Sequence, residues 1–140
     1  MIEINNLTTI PLDENFLKKV AEEVLEKELE ISKYRNIDLS IALVGQGRIR
    51  ELNKKYRGKN RVTDVLAFPE REIGLGEIII CIREVKKNAR RFSSDFKTEL
   101  SRVLIHGILH LLGYNHEESE KMAKKMMEKQ EYYLAKVLKS

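Results

Sequence analysis

Three histidines are the residues of this sequence whose type and spacing could do chemistry. His106, His110 and His116 are the only histidines of the chain and fall within eleven residues. On a helix, His106 and His110 project from one face about one turn apart. Ten more residues of helix would carry His116 about 15 Å along the axis, away from them. Gly113 can end the helix at positive φ and turn the chain back. The spacing therefore predicts one metal ion held by three imidazoles.

The donor set favours a catalytic zinc ion. Three neutral imidazoles leave one position open on a tetrahedral ion, which is typical of catalytic rather than structural zinc. Nickel, copper and iron accept the same ligands and stay open. The alternative is three ordinary histidines, but unpaired imidazoles in so apolar a helix would be costly to bury. The single cysteine, Cys81, lies in an apolar run and is expected to be a buried hydrophobic residue.

The same spacing also occurs in a class of proteases. The pattern H-x3-H-x2-G-x2-H is that of the metzincins, in which a glutamate follows the first histidine and acts as general base. Here that position is Gly107. A metal-dependent protease is therefore kept as an alternative whose base would have to come from elsewhere.

A basic segment supplies the other candidate site residue. Residues 48–61 hold seven basic residues against one acidic, and residues 83–102 hold seven against three. Such stretches are either solvated helix faces or surfaces that bind phosphate. We interpret Arg57 as a candidate catalytic residue that holds a phosphate beside the metal, because its planar guanidinium suits that task. Thr63 and Asp64, which follow, are equally consistent with simple turn hydrogen bonds.

The elements that must position these residues can be read from hydrophobic periodicity. The predicted order is β-α-β-α-β-β-α-α-α. The strands are 2–7, 37–44, 62–68 and 76–82, and the helices are 13–29, 46–56, 83–92, 97–112 and 117–138. This predicts an α/β fold of the α+β type, with a mixed sheet of about four strands and packed helices in a single domain over residues 1–140. The three-histidine site would be zincin-like, on a buried helix and the turn after it.

Two further features bound the location and the class of the protein. The 140 residues are 42% hydrophobic and 34% charged, which excludes a disordered or a fibrous chain. No apolar run reaches the roughly 20 residues of a membrane span, and the N-terminus lacks the pattern of a signal peptide. We therefore expect a cytoplasmic protein without a membrane partner.

The residues also resemble a known family. His106 to His116 is similar to the HGxLHLxGYDH signature of the YbeY endoribonucleases, bacterial rRNA maturation factors. Leu52 to Pro69 resembles that family's LNxxYR…TDVLxFP segment, and Leu75 to Cys81 its LGEIIIC segment. The resemblance spans essentially the whole chain. It implies a single-strand-specific endoribonuclease acting in 16S rRNA maturation and ribosome quality control. It also implies zinc on the three histidines, a role for the arginine matching Arg57, and RNA of the small ribosomal subunit as partner.

Four positions depart from the family pattern. Asn115 and Asn60 replace common aspartates, Ala67 replaces a common serine, and Glu77 replaces a common aspartate. Only Asn115 adjoins a predicted ligand, where it could alter a hydrogen bond or a proton relay. The implied reaction is phosphodiester cleavage, with either metal-activated water or the RNA 2′-hydroxyl as nucleophile. A non-catalytic ribosome-binding factor, whose metal only stabilises the fold, is a further alternative.

Overall fold

A computed structural model describes residues 1–70, 74–115 and 117–139. In chain order, the described elements are β1 (Ile2–Asn6), α1 (Glu14–Glu28), α2 (Ile31–Arg35), β2 (Leu39–Val44), α3 (Gln46–Arg57), β3 (Val65–Pro69), β4 (Gly76–Cys81), α4 (Ile82–Arg91), α5 (Phe96–Leu111) and α6 (Glu120–Lys139).

The four described strands form one mixed sheet in the order β1-β2-β4-β3. β1 and β4 run parallel to β2, whereas β3 runs antiparallel to β4 and lies at an edge. Ile78 in β4 pairs with Ile41 on one side and with Ala67 on the other. This confirms the predicted α/β fold and the predicted mixed sheet.

The two faces of the sheet carry separate apolar clusters because successive side chains of a strand point to opposite sides. The larger cluster contains Ile41, Ile78 and Ile80 and includes the buried residues of α1, α5 and α6. The smaller cluster contains Ile79 and Cys81 and packs beneath α3. α5 therefore lies on one face, against β3 and β4, and α3 lies on the other. Cys81 is buried as predicted, and burial raises the pKa of its thiol.

Local chemistry explains several helix ends. The Asp13 carboxylate accepts a hydrogen bond from the Phe16 backbone N–H at 3.0 Å, as expected of an N-cap. α3 ends before Gly58, whose φ of 69° lies in the left-handed region that favours glycine after a helix. Asp95 caps α5 by accepting from the Thr98 N–H at 2.7 Å.

The structure differs most from the predicted elements in three places, and the other bounds agree to within two residues. Helix α2 was not predicted, since none of its five residues is buried and it has no apolar stripe to detect. β3 begins at Val65 rather than Val62. Val62 packs against the smaller apolar cluster beneath α3, and pairing with β4 starts only at Val65. α6 begins at Glu120 rather than residue 117, because the Ser119 hydroxyl accepts from the Met122 N–H at 3.1 Å and caps the helix.

Two remaining expectations concern the hairpin and the last helix. The sequence predicts a turn around residues 69–74 between β3 and β4, and this turn lies partly outside the described residues, at 71–73. α6 packs on α5 and α1, as expected of a helix that completes the core. Among the residues that the structure describes, no helix combines the length and the apolar character needed to cross a membrane.

Candidate functional site

Helix α5 carries the first two histidines on one half-buried face. Its other positions from Val103 to Leu109 are almost all buried, so the helix is fixed in the core independently of the histidines. His106 and His110 are both partly accessible and lie one helical turn apart, as predicted.

His106 has a defined partner on α6. Its Nδ1 lies 2.8 Å from Oε1 of Gln130, whose residue is only 6% exposed. The amide nitrogen of Gln130 lies 3.3 Å from a carboxylate oxygen of Glu131. A carboxylate can only accept, so the amide nitrogen faces Glu131 and the amide oxygen faces His106. In this orientation the Gln130 oxygen accepts from Nδ1–H of His106, and Nε2 is then the ring nitrogen that can act as a metal ligand.

The chain reverses after α5, as the glycine predicted. Gly113 has a φ of 103°, and its N–H donates to the His110 carbonyl at 3.1 Å. The Tyr114 N–H donates to the Leu109 carbonyl at 3.1 Å. This pair of bonds is the Schellman arrangement that follows a helix. It directs residues 114 and 115 away from the helix axis.

A buried carboxylate anchors this turn to two helices. Glu28, at the end of α1, accepts from the Tyr114 hydroxyl at 2.7 Å, from Lys129 Nζ at 2.7 Å, and from the Tyr133 hydroxyl. Burial favours the protonated acid, but these three hydrogen bonds outweigh it and hold the pKa of Glu28 below its ordinary value. Burial and the neighbouring carboxylate raise the pKa of both tyrosine hydroxyls.

Asn115 closes the turn on its other side. Its side-chain oxygen accepts from the Glu117 N–H at 2.9 Å. An aspartate there could accept the same bond, so the departure from the family pattern is compatible with this turn. The third predicted ligand, His116, lies outside the described residues, and the prediction for it stays a prediction.

The donor chemistry of the described histidines fits a metal ion. Metal-binding imidazoles commonly donate their second ring N–H to a carbonyl or carboxylate, as His106 does to Gln130. Among residues 1–70, 74–115 and 117–139, no group of three or more His, Cys, Asp or Glu side chains could hold a metal ion. A three-histidine site would thus need His116.

Position 107 faces the sheet. A Cβ built on Gly107 would lie 3.2 Å from Cγ2 of Ile78 in β4. The glycine therefore permits close packing of α5 on the sheet, and a glutamate there would be directed into the core. This packing disfavours the protease alternative, because its general base has no room at the expected position.

Arg57 lies at the last position of α3, and its side chain reaches β3. Its Nη2 donates to the Ala67 carbonyl at 3.2 Å, while the neighbouring Tyr56 ring packs edge-on against Phe68. α5 packs on the same edge strand from the opposite face of the sheet. Arg57 and the helix that carries His106 and His110 are thus both attached to β3.

The basic loop after α3 is held by a buried amide. Asn53 is 3% exposed, and its side-chain nitrogen donates to the Arg61 carbonyl at 3.0 Å. The Lys59 N–H donates to the Asn53 carbonyl at 3.2 Å, and Arg50 Nε bonds to Asn60 Oδ1 at 2.9 Å. The cationic residues of 58–61 are therefore presented on an ordered backbone.

Sequence reasoning missed Gln130 and Glu28. Both are polar residues beside apolar helix positions: Gln130 shares the buried side of α6 with Met126 and Tyr133. The available signal for Gln130 was its position as a polar residue within the apolar stripe of α6. That position did not show that His106 would be its partner.

The comparisons with known proteins agree on one family. Residues 3–138 match the family model of Endoribonuclease YbeY. Proteins named Endoribonuclease YbeY are 44% identical over 122 residues in Thermotoga maritima, covering 86% of this chain and 78% of that protein, and 39% identical over 132 residues in Aquifex aeolicus, covering 88% of each. The solution structure of a Thermotoga maritima protein superimposes with a TM-score of 0.70 at 40% identity, over 98% of this chain and 89% of that one. The chain belongs to the Endoribonuclease YbeY family.

Proposed function

We propose that this protein is a metal-dependent endoribonuclease that cleaves single-stranded RNA in 16S rRNA maturation and ribosome quality control. Its family makes it a hydrolase that acts on RNA. The observation that carries the metal dependence is the pair His106 and His110 on one face of α5, with Nδ1 of His106 bonded to Gln130. The proposal assigns one zinc ion to His106, His110 and His116, and treats residues 1–140 as one catalytic domain in the cytoplasm.

A zinc ion held by imidazoles supplies a Lewis acid for a phosphate oxygen and a source of hydroxide near neutral pH. The protein must supply the remaining charge stabilisation. A guanidinium has five N–H donors, so the bond from Arg57 to Ala67 orients the group and leaves donors for a phosphate. We assign Arg57 the role of neutralising negative charge that develops on the phosphorus centre during cleavage.

The basic residues of 48–61 would bind the RNA backbone. Contacts to phosphate fix the position of the RNA without reading its sequence. They weaken as the salt concentration rises, because releasing the counterions condensed on the RNA then gains less entropy. The loop 58–61 is held by Asn53 before any RNA binds, which reduces the entropy cost of ordering it. This supports an RNA partner, which we propose to be RNA of the small ribosomal subunit.

The test uses an RNA hairpin with single-stranded tails and the zinc-loaded full-length protein. We expect cuts in the tails only, and loss of cutting when excess chelator is added. The same sequence annealed to its complement is the control for strand selectivity. Equal cleavage of the duplex would overturn the selectivity, and undiminished cleavage in chelator would overturn the metal dependence. A 2′,3′-cyclic phosphate on the product would identify the 2′-hydroxyl as nucleophile, rather than water.

A further inference from the structure

A chain of hydrogen bonds links α5 and α6 behind His106. Arg102, one turn before His106 on α5, contacts the buried carboxylate of Glu99 and reaches Glu131 on α6 through Nε at 3.4 Å. Glu131 accepts from the amide of Gln130 at 3.3 Å, and Gln130 accepts from His106 Nδ1 at 2.8 Å. Each of these contacts pairs a donor with an acceptor.

We propose that Gln130 is a positioning residue that fixes the tautomer and ring direction of His106, with Arg102 and Glu131 fixing the amide of Gln130. Nδ1 is thereby kept as the donor, and the Nε2 lone pair is directed to the metal position. The inference rests on the proposed metal site and adds three residues to it.

The orientation of the amide is the central step. Turned by 180°, Gln130 would bring its carbonyl oxygen against the Glu131 carboxylate and its NH2 group against His106 Nδ1. The first contact would set two acceptors against each other. The flipped amide would also make Nδ1 the acceptor, which places the ring proton on Nε2 and blocks metal binding there. Glu131 therefore selects the productive orientation.

Arg102 in turn keeps Glu131 in place. Burial disfavours the charge of Arg102, but Glu131 and Glu99 outweigh it, and the pKa of the guanidinium is raised. The Glu131 side chain is 46% exposed and the Arg102 side chain 30%, so this pair alone would be weak. Its second partner, Glu99, is 5% exposed and fixes Arg102 from the core side.

The first variant is Gln130→Met, which keeps an unbranched side chain of similar size and good helix propensity but removes the acceptor. Zinc affinity, measured by competition with a chromophoric chelator, should fall by about 10–100-fold. Glu128→Gln, an exposed change on the same helix, is the control and should bind zinc as the wild type does. Circular dichroism verifies that both variants are folded.

The second measurement does not involve a metal. Long-range ¹H–¹⁵N NMR correlations of the metal-free protein, at mildly alkaline pH, report which ring nitrogen of His106 holds the proton. We expect Nδ1–H in the wild type and a shift toward Nε2–H, the form that an isolated imidazole prefers, in Gln130→Met. A general loss of packing would not shift the proton of His106 specifically from Nδ1 to Nε2.

A rescue variant separates positioning from packing. The exchange Gln130→Glu with Glu131→Gln preserves net charge, an acceptor for His106 Nδ1 and an acceptor for Arg102. It should restore both the Nδ1–H tautomer and most of the zinc affinity. Wild-type protein with Nε2–H at His106, or Gln130→Met with unchanged zinc affinity, would overturn the inference. Because neither readout uses RNA, failure here is distinct from failure of the proposed ribonuclease activity.

Discussion

At the scale of residues, Arg57 is the candidate site residue whose role in catalysis can be tested with the least effect on folding. It is exposed, at the C-terminal end of α3, where a cation is favourable to the helix dipole. Its bond to the Ala67 carbonyl links it to the edge strand without involving the core. Its removal should therefore affect chemistry much more than stability.

Arg57→Ala should lower the rate of RNA cleavage by about 10²–10³-fold at saturating RNA, because a donor to developing negative charge is lost. The urea unfolding midpoint and the zinc content should stay as in the wild type. Lys18→Ala, which removes one exposed positive charge from α1, is the matched control and should cleave normally. Wild-type turnover in Arg57→Ala would leave Arg57 as surface charge only.

The spacing of His106 and His110 was predictable from the helical period, and the turn at Gly113 from the φ that only glycine adopts easily. The partner of His106 was not predictable, because Gln130 lies 24 residues further along the chain and meets it only through the packing of α6 on α5. Local patterns predict which residues share a helix face, but not which residue of another helix faces them.

At the scale of elements, the C-terminal end of α1, the turn after α5 and the middle of α6 meet at Glu28. The side chain is 9% exposed and bonds to a lysine and a tyrosine of α6 and to Tyr114 after α5. These hydrogen bonds hold the turn after α5, which leads to His116. The ionisation state of Glu28 therefore affects the stability of that turn.

The lowered pKa of Glu28 determines the direction in which pH changes the free energy of unfolding. A carboxyl with a lowered folded-state pKa stabilises the fold above its ordinary value of 4.5, and this stabilisation is lost as pH falls through the folded-state pKa. Glu28→Gln should therefore be less stable than wild type at neutral pH, by about 1–3 kcal/mol, and the difference should shrink in acid.

Urea unfolding at neutral pH and at pH below 4.5 measures this difference. Glu128→Gln on the exposed side of α6 controls for loss of a carboxylate and should show little change at either pH. If the unfolding free energy of Glu28→Gln is lower than that of the wild type by the same amount at every pH, the charge of Glu28 does not contribute to stability.

Helices such as α1 and α3 were predictable because each combines a clear period of hydrophobic residues with a residue that marks a helix end. Asp13 marks the start of α1, and Gly58 marks the end of α3. The sheet order was not: β4 inserts between β2 and β3, which depends on pairing across the fold. Helix α2 has no buried residue, so the sequence offered no pattern for it.

At the scale of the whole molecule, the larger apolar cluster is built without the side chains of His106 and His110. α5 buries nine of its residues, including Leu104, Ile105 and Ile108, against the sheet and its neighbouring helices. A metal at its C-terminal end would add to a fold that already has a continuous apolar core. A core of this kind disfavours the alternative in which the metal only maintains the fold.

Removal of the metal with a chelator should therefore abolish RNA cleavage while the far-UV circular dichroism keeps its helical signal. Zinc added back in slight excess should restore activity without a refolding step. Cooperative loss of the helical signal on chelation, together with no cleavage by the zinc-loaded protein, would favour the non-catalytic ribosome-binding alternative.

The measurement that tests the central claim most directly compares wild type with His110→Ala, purified identically and supplied with zinc, on RNA with single-stranded tails. Bound zinc and cleavage are recorded on the same samples. We expect about one zinc ion and cleavage for wild type, and loss of both for His110→Ala, because two remaining imidazoles hold zinc poorly. Equal cleavage by the two proteins, or stoichiometric zinc retained by His110→Ala, would contradict it.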